Sequence, residues 1–400
     1  MVAAAAGGVL LAENAAAQPA ATQPADVLPR RGTEGADVLG PTNPPRDAQD
    51  RNMLVPPRTD HGTLPNLKWS FADSHVRIQP GGWARETTVR ELPVSTDLSG
   101  VNMRLEPGAV REMHWHKQSE WSYVLAGNAR ITAVDVDGRT FQDDVAEGDL
   151  WYFPAGIPHS IQGTGERGCE FLLVFDDGSF SEDSTFLITD WLAHTPRKVL
   201  AKNFGWPESA FDRVPKEELY IFRTDLPPPL AADRVAGAGP VPRSFSHRMT
   251  AQEPLRTRGG AVRVADSGNF PASQAIAGVL VDLEPGAMRE LHWHPDSNEW
   301  QFYIAGEARM TVFGSSGKAR TFDYRGGDVG YVPVSMGHYI ENTGTTPVRY
   351  LEMFTGPRYS DMSLAQWMAL TPHALVEAHL GIDRALLDGL RTEKTPVVPG

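Results

Sequence analysis

The sequence of 400 residues has one cysteine, Cys169, and no apolar run long enough to cross a membrane. A single cysteine excludes an intrachain disulfide, so the fold does not depend on an oxidising compartment. The missing apolar run argues against a membrane-spanning helix. Basic residues are also few, because 37 Lys and Arg stand against 50 Asp and Glu, a formal net charge of −13. This balance argues against nucleic acid or an anionic membrane as a partner.

Glycine and proline are abundant, at 38 and 32 residues, which favours tight turns and short strands over long helices. Short runs such as "EWSYVLAG", "ARITAVDV" and "CEFLLVFD" are separated by turns such as "DVDGRT". Helical periodicity follows the strands only in "TDWLAHTPRKVLAKNF" and "SLAQWMALTPHALVEAHL". The pattern predicts an all-β protein of antiparallel sandwiches or barrels with short helical extensions.

An internal repeat organises the chain. "EPGAVREMHWHKQSEWSYVLAGNARITA" recurs as "EPGAMRELHWHPDSNEWQFYIAGEARMTV", and "EGDLWYFPAGIPHSIQGTG" recurs as "GGDVGYVPVSMGHYIENTG". We therefore predict a tail or arm over 1–64, a first barrel over 65–225, a Pro/Gly-rich linker over 226–243, a second barrel over 244–385 and a tail over 386–400. The architecture is a duplication.

The N-terminal stretch "MVAAAAGGVLLAENAAAQPAA" leaves two interpretations open. Its apolar run and small residues resemble an export signal, but the first basic residue is Arg30, whereas a signal has a basic start. The alternative is a disordered Ala/Pro tail. We favour export, to the periplasm or outside the cell, over a cytoplasmic location.

Each copy carries three histidines and a glutamate at matching positions. Two histidines at i and i+2 on a strand project from one face, so both imidazoles can reach one ion. The glutamate follows at unequal distances in the two copies, so a turn must separate it from the histidine pair. Such a set suits a first-row divalent ion with open positions, manganese or iron rather than zinc. The predicted ligands are His114, His116, Glu120 and His159 in the first copy and His292, His294, Glu299 and His338 in the second.

These segments resemble the two motifs of the cupin superfamily. "GAVREMHWHKQSEWSYVLAG" is similar to the first motif, and "GDLWYFPAGIPHSIQG" to the second, although Gly163 replaces its closing Asn. The pair "REMHWH" and "RELHWH" resembles the bicupins of the oxalate decarboxylase family, from about residue 65 to 385. The resemblance implies two jelly-roll barrels and two Mn²⁺ ions per chain, with oxalate as substrate and dioxygen as a catalytic co-substrate. It also implies a homo-oligomer, specifically a hexamer.

One arginine precedes the paired histidines in each copy, Arg111 and Arg289. Three residues before the first histidine is an odd offset, which a regular strand would turn outward. We expect an irregularity near the start of the strand to bring each arginine inward. A divalent ion with one carboxylate ligand and an arginine gives a net charge that a small dicarboxylate dianion would neutralise.

The two copies differ where a proton donor is needed. Aligning "CEFLLVFDD" with "VRYLEMFTG" places Leu173 opposite Glu352. The first copy carries Glu182 instead, in "SEDST", residues 181–185, hereafter the lid segment. In the family, by resemblance, a closing Ser-Glu-Asn-Ser-Thr lid supplies the proton donor. Asp183 departs from that pattern, and a second carboxylate there would raise the pKa of Glu182 or alter how tightly the lid closes.

We predict that the first copy carries the main catalytic site, with Glu182 and Arg111. The second is a structural or auxiliary metal site, where Glu352 is either a second general acid or a buried partner of Arg289. The competing functions are an oxalate oxidase that makes hydrogen peroxide, a bicupin dioxygenase acting on an aromatic substrate, and a non-enzymatic storage or binding bicupin. A proton donor on a closing lid and two intact ligand sets favour the carboxy-lyase.

Overall fold

The computed structural model describes residue 36 and residues 40–400, without the side chains of residues 53 and 54. The export signal predicted for the N-terminus lies outside these residues. Among the described residues, no helix is both long and apolar enough to cross a membrane. The chain divides into two units, residues 1–56 and 57–400. The described helices of the first unit are α1 (Pro44–Gln49) and α2 (Arg51–Leu54).

Strands dominate the second unit, as the short β-rich runs predict, and they fall into two halves, one for each copy of the repeat. Those that follow in the first half are β1 (Lys68–Ser70), β2 (Val76–Gln79), β3 (Gly82–Thr87), β4 (Ser99–Leu105), β5 (Val110–Trp115), β6 (Glu120–Val134), β7 (Thr140–Ala146), β8 (Leu150–Phe153), β9 (His159–Phe175), β10 (Phe186–Leu187) and β11 (Ile221–Phe222). The helices are α3 (Ile188–Ala193), α4 (Arg197–Phe204) and α5 (Leu230–Asp233).

The second half repeats this order. Its strands are β12 (Ser246–His247), β13 (Leu255–Thr257), β14 (Gly260–Ala265), β15 (Ile276–Leu283), β16 (Met288–Trp293), β17 (Glu299–Ala305), β18 (Glu307–Gly314), β19 (Lys318–Arg325), β20 (Asp328–Val332), β21 (Gly337–Asn342), β22 (Val348–Thr355), β23 (Met362–Ser363) and β24 (Val397–Val398). Its helices are α6 (Leu364–Leu370), α7 (His373–Leu380) and α8 (Arg384–Asp388).

All the ladders between these strands are antiparallel, and they form two jelly-roll-like barrels. In the first barrel the long strands β6 and β9 run through both layers, so that its strands form one continuous sheet. The second barrel has two sheets, ordered β1-β20-β17-β22-β15-β14-β13 and β19-β18-β21-β16-β23, with β24 also on β16. The predicted all-β class and its short helical extensions are confirmed.

The barrels exchange edge strands. β1, from the N-terminal side of the first barrel, pairs with β20 of the second. β12, from the start of the second half, pairs with β8 of the first. Each exchange covers backbone N–H and C=O groups at a sheet edge that would otherwise be open. The boundaries predicted at 65, 226, 244 and 386 remain predictions.

A reciprocal contact of tryptophan on glycine joins the barrels. Trp121 and Trp300 directly follow the glutamates Glu120 and Glu299, so they project from the opposite face of their strands. Both indoles are fully buried. A Cβ at Gly278 would lie 2.5 Å from Trp121 Cζ2, and one at Gly100 would lie 2.6 Å from Trp300 Cζ2. Only glycine leaves room for the partner indole at these two positions.

We predict that Gly278→Ala lowers the free energy of unfolding by about 1–3 kcal/mol, because the added methyl group overpacks the contact with Trp121. Urea unfolding monitored by tryptophan fluorescence measures the effect. Gly40→Ala is the control, since a Cβ there meets no atom within 4 Å. Equal unfolding midpoints for the two variants would show that the barrels do not interlock here.

Candidate metal centres and active site

Each predicted ligand set comes together in the structure. The first histidine of each pair lies on β5 or β16 and the second directly follows that strand, and all four are at most 4% exposed. The glutamate opens the next strand after a short turn, as the unequal spacing predicts, and the third histidine lies on β9 or β21. In each set the four ligand atoms all lie within 4.8 Å of one another. The sets are His114, His116, Glu120, His159 and His292, His294, Glu299, His338.

The hydrogen bonds of the imidazoles fit metal ligation. Backbone carbonyls hold the Nδ1 atoms of His114, His159 and His292, at 2.6, 2.8 and 2.7 Å. A bond at Nδ1 fixes the tautomer that offers the Nε2 lone pair. The Nε2 atoms of His159 and His292 are buried and have no hydrogen-bond partner. Buried polar atoms are normally satisfied, so these unpaired nitrogens indicate a centre where a cation would bind.

The pKa values of the ligand residues also favour metal ligation. Burial, reinforced by the positive charge of Arg111, holds the pKa of His114 well below its ordinary value, and burial and Arg289 do the same for His292. Both imidazoles are therefore neutral, the form that binds metal. Burial alone would raise the pKa of Glu120, but the neighbouring imidazoles outweigh it and lower that pKa. The fourth ligand is thus a carboxylate.

A β-bulge turns the arginines inward. The pairing of β5 with β9 shifts between Arg111 and His114, and that of β16 with β21 shifts between Arg289 and His292. The extra residue changes which side chains face the interior. Both guanidinium groups are consequently at most 1% exposed. The irregularity predicted from the odd offset is confirmed in both copies.

In the first barrel the arginine holds the lid segment. Arg111 Nη2 donates to Glu182 Oε2 at 2.7 Å and to Thr185 Oγ1 at 3.2 Å. Glu182 is 8% exposed, so the lid segment is closed. The other terminal nitrogen of Arg111, Nη1, is buried and has no hydrogen-bond partner. The first barrel therefore combines a carboxylic acid with a guanidinium edge that can still receive an anion.

In the second barrel the matching arginine bonds protein groups through its terminal nitrogens. Arg289 Nη2 donates to Tyr359 Oη and Asp361 Oδ2, both at 2.6 Å, and Nη1 donates to the Pro396 carbonyl at 3.2 Å. Both of its terminal nitrogens are thus occupied by protein groups. An incoming dianion would have to displace a carboxylate from Arg289, which makes this barrel the poorer anion site.

Glu352 lies beside Arg289 in that barrel. It is fully buried, its Oε1 lies 3.5 Å from Arg289 Nε, and it accepts a hydrogen bond of 3.0 Å from Tyr350 Oη. Burial raises its pKa to about 7, against the opposing effect of Arg289. The strand register also places Leu173 at the equivalent position, because these residues face Val101 and Val279. Glu352 therefore lies next to Arg289, and both predicted roles, second general acid and buried partner of Arg289, remain predictions.

The loop that contains the lid segment, between β9 and β10 and hereafter the lid loop, differs in length from the matching loop between β22 and β23. Phe175 and Phe354 each pair with the glutamate ligand, and Leu187 and Ser363 each pair with the first histidine. Twelve positions separate Phe175 from Leu187 in the first barrel, and nine separate Phe354 from Ser363 in the second. The second loop is therefore three residues shorter. The additional residues accommodate the 3₁₀ turn Glu182–Ser184 that carries the acid.

The sequence analysis missed a buried acid that organises this site. Glu112, 1% exposed, accepts hydrogen bonds from the backbone N–H of Thr189 at 2.9 Å and of Leu219 and Tyr220 at 2.8 Å. It therefore ties the metal-binding strand to the segment after the lid and to the Tyr220 loop. The available signal was the second copy, where Glu290 stands at the same place.

The tryptophans between the paired histidines, Trp115 and Trp293, pack against other aromatic side chains away from the metal centres. Trp115 stacks on Phe186 at 5.5 Å and meets Trp191 edge-on at 5.4 Å. Trp293 meets Trp367 at 5.7 Å. Both contacts lie against the helical extensions rather than in the metal centres.

Comparison with known proteins places this geometry in a family. The cupin family profile matches residues 71–210 and 248–386. Oxalate decarboxylase OxdC of Bacillus subtilis (strain 168) is 58% identical over 371 residues, 92% of this chain and 96% of the relative. The chain belongs to the oxalate decarboxylase family of bicupins. A probable oxalate decarboxylase of Arthroderma benhamiae is 42% identical over 91% of both chains.

The fold agrees with this assignment. A solved structure from work on the Mn(II) centres of Bacillus subtilis oxalate decarboxylase superimposes with a TM-score of 0.91 at 57% identity, covering 93% of this chain and 99% of that one. A structure of the same protein at pH 4.6 gives 0.90 at 58% identity, covering 93% and 97%. The two-barrel bicupin architecture of this chain therefore matches 97–99% of the length of these two solved family members.

We predict that His159→Ala lowers the metal content of manganese-loaded protein from two ions per chain to about one, because one of two ligand sets loses an imidazole. His338→Ala should do the same, and the double variant should bind neither ion. Elemental analysis after gel filtration gives the counts. His194→Ala is the control, since that exposed imidazole bonds Asp190 outside both sets. Two ions retained in His159→Ala would contradict the ligand assignment.

Proposed function

We propose that this protein is an oxalate decarboxylase, which converts oxalate to formate and carbon dioxide, and that the first barrel performs the reaction. We assign the reaction to the first barrel because Arg111, which precedes the paired histidines there, is hydrogen-bonded to Glu182. Relatives that bear this activity in their names, 58% and 42% identical, support the reaction itself.

The residues of each ligand set fit one Mn²⁺ ion, which gives two per chain. The similar Bacillus subtilis oxalate decarboxylase has Mn(II) centres. When bound, manganese supplies a Lewis acid and a one-electron redox centre, with dioxygen as the proposed catalytic co-substrate. His114, His116, Glu120 and His159 would hold the ion of the first barrel. Their carboxylate leaves a local positive charge that suits a dianion.

Arg111 orients the substrate. Its Nη1 is buried with no protein partner, so it can donate to a carboxylate of oxalate without first breaking a bond. Nη2 meanwhile holds Glu182 at 2.7 Å. The same guanidinium therefore places the anion and the acid side by side, which reduces the entropy cost of the reaction. A buried cation also strengthens the interaction, because little water competes for it.

Glu182 moves the proton. Oxalate enters as the monoanion and gives its proton to Glu182, which leaves the dianion that the local positive charge favours, and the C–C bond then breaks with release of carbon dioxide. The same carboxyl group returns the proton to the remaining carbon, which becomes the C–H of formate, so no proton or electron is gained or lost overall. Positioned acid–base groups typically accelerate such transfers by about a hundred- to ten-thousand-fold.

The closed lid segment keeps water from the reacting carbon. Glu182 is 8% exposed, and Thr185 Oγ1 donates to the Glu182 carbonyl at 2.8 Å, which completes the turn over the site. Access of water or loss of the acid would favour full oxidation of oxalate to carbon dioxide with reduction of dioxygen to hydrogen peroxide. The oxidase is the second candidate function, and the buried acid favours the decarboxylase.

The second barrel has a metal site with a structural or auxiliary role. Arg289 is bonded to Tyr359 and Asp361, and the acid that the shorter loop brings to this arginine is an aspartate, Asp361, rather than a glutamate. We also propose a homo-oligomer, a hexamer by family resemblance. Large aromatic side chains exposed near or on the helical extensions support association, namely Trp191 at 63%, Trp206 at 55% and Trp367 at 57%.

We predict that Glu182→Ala lowers the rate of formate production by about a hundred- to ten-thousand-fold, because no other group returns the proton to carbon. The assay incubates manganese-loaded protein with oxalate under air and measures formate and hydrogen peroxide together. An unchanged formate yield would rule out Glu182 as the donor.

Glu352→Gln should retain at least half of the wild-type formate rate, because Glu352 belongs to the second barrel and partners Arg289. This variant also serves as the control for Glu182→Ala, since each removes a buried carboxylate near an arginine. A collapse of formate production in Glu352→Gln at normal metal content would instead assign the chemistry to the second barrel.

A further inference from the structure

We propose that the ion pair between Arg77 and Asp183 is a latch that holds the lid segment closed over the first metal centre. Arg77 and Asp183 are then positioning residues for the proton donor Glu182. The inference rests on the proposed function, in which Glu182 acts while the lid is closed.

The latch joins the lid to the rigid barrel. Arg77 lies on β2, and its Nη1 lies 3.1 Å from Asp183 Oδ1, at the centre of the lid segment. Asp183 therefore points away from Glu182, towards a cation 106 positions earlier in the chain. Of the two effects expected for this acid from the sequence, the contacts favour control of lid closure.

Arg77 is held in place by contacts outside the lid segment. Its guanidinium lies over the Tyr220 ring at 3.6 Å and also pairs with Glu218. Arg111 lies over the same ring at 4.3 Å. Tyr220 has a left-handed backbone, with φ of 53°, and its N–H is bound by Glu112. A preordered cation loses less rotamer freedom on pairing, so this ion pair is stronger than an isolated exposed one.

Other side-chain contacts between the lid segment and the barrel are made by Arg111 and Glu86, and they include hydrogen bonds to Thr185 and Ser181. Arg111 binds the carboxylate of Glu182, and this bond weakens whenever that carboxylate takes up a proton. Glu86 accepts from the Glu182 backbone N–H at 3.1 Å. Among the described ion pairs of the lid segment, the Arg77–Asp183 pair is the one that does not involve the carboxylate that carries the proton. It can keep the lid closed through the step in which Glu182 is protonated.

There is space for the lid to open. A cavity of about 300 Å³ lies beside it and is lined in part by Arg77, Glu86, Glu182, Asp183 and Tyr220. Asp183 is 81% exposed at its side chain, so dissolved salt screens the latch. The closed state is therefore sensitive to ionic strength through this pair.

Asp183→Asn tests the latch, because it keeps the shape of the side chain and removes only its charge. We expect the open-to-closed ratio of the lid to rise about two- to five-fold, the change that corresponds to about 0.4–1 kcal/mol for an exposed ion pair. Hydrogen exchange of the peptide containing residues 181–185, in manganese-loaded protein without oxalate, measures this ratio directly.

Salt and a second variant make the test specific. Raising ionic strength should increase lid exchange in the wild type and have little effect in Asp183→Asn. Arg77→Gln should produce a similar increase, and combining it with Asp183→Asn should add little, since both remove one interaction. Asp137→Asn is the control, because that exposed acid pairs with Arg139 on a turn of the same barrel.

Additive effects of the two substitutions, or equal salt dependence of lid exchange in the wild type and Asp183→Asn, would overturn the latch. Such results with normal formate production would leave the proposed function intact. A wild-type protein that makes no formate would instead overturn the function, whatever the exchange shows.

Discussion

The bulge on the metal-binding strand is the constraint on which the rest of the site depends. A regular strand would present the two histidines to the interior and turn the arginine three residues earlier to the outside. The shift between Arg111 and His114 brings all three side chains to one side, and the second copy repeats it between Arg289 and His292. An ion and a buried guanidinium can then share one cavity, with the charges needed for a small dianion.

Duplication gave both barrels this arrangement, and the lid loop then made them different. Three more residues between the landmark strands give the first barrel a 3₁₀ turn, which brings Glu182 to Arg111 while leaving Nη1 unpartnered. The shorter loop brings Asp361 and Tyr359 to Arg289 and occupies both terminal nitrogens, together with Pro396. The same buried cation is therefore the proposed substrate-binding group in one barrel, and in the other it is bonded to protein groups at both terminal nitrogens.

Sequence was sufficient for the parts of the site that repeat or follow strand geometry. The ligand sets, the bulges and the all-β class could be predicted because two copies show the same residues at matching offsets. The roles of Glu112, Arg77 and Tyr220 could not, because they arise from contacts between segments more than a hundred positions apart. A single sequence gives no sign that the Tyr220 backbone is left-handed or that its ring lies under two arginines.

Charge explains why so many contacts converge on the lid. The protein has a formal net charge of −13, yet the proposed substrate is an anion, so the first barrel needs cations that the rest of the chain does not neutralise. Arg111 must stay available to oxalate, which limits how firmly it can hold Glu182. A separate cation that never contacts substrate removes this conflict, and Arg77, fixed by Glu218 and Tyr220, is placed to serve that purpose. Lid closure and substrate binding then use different charges.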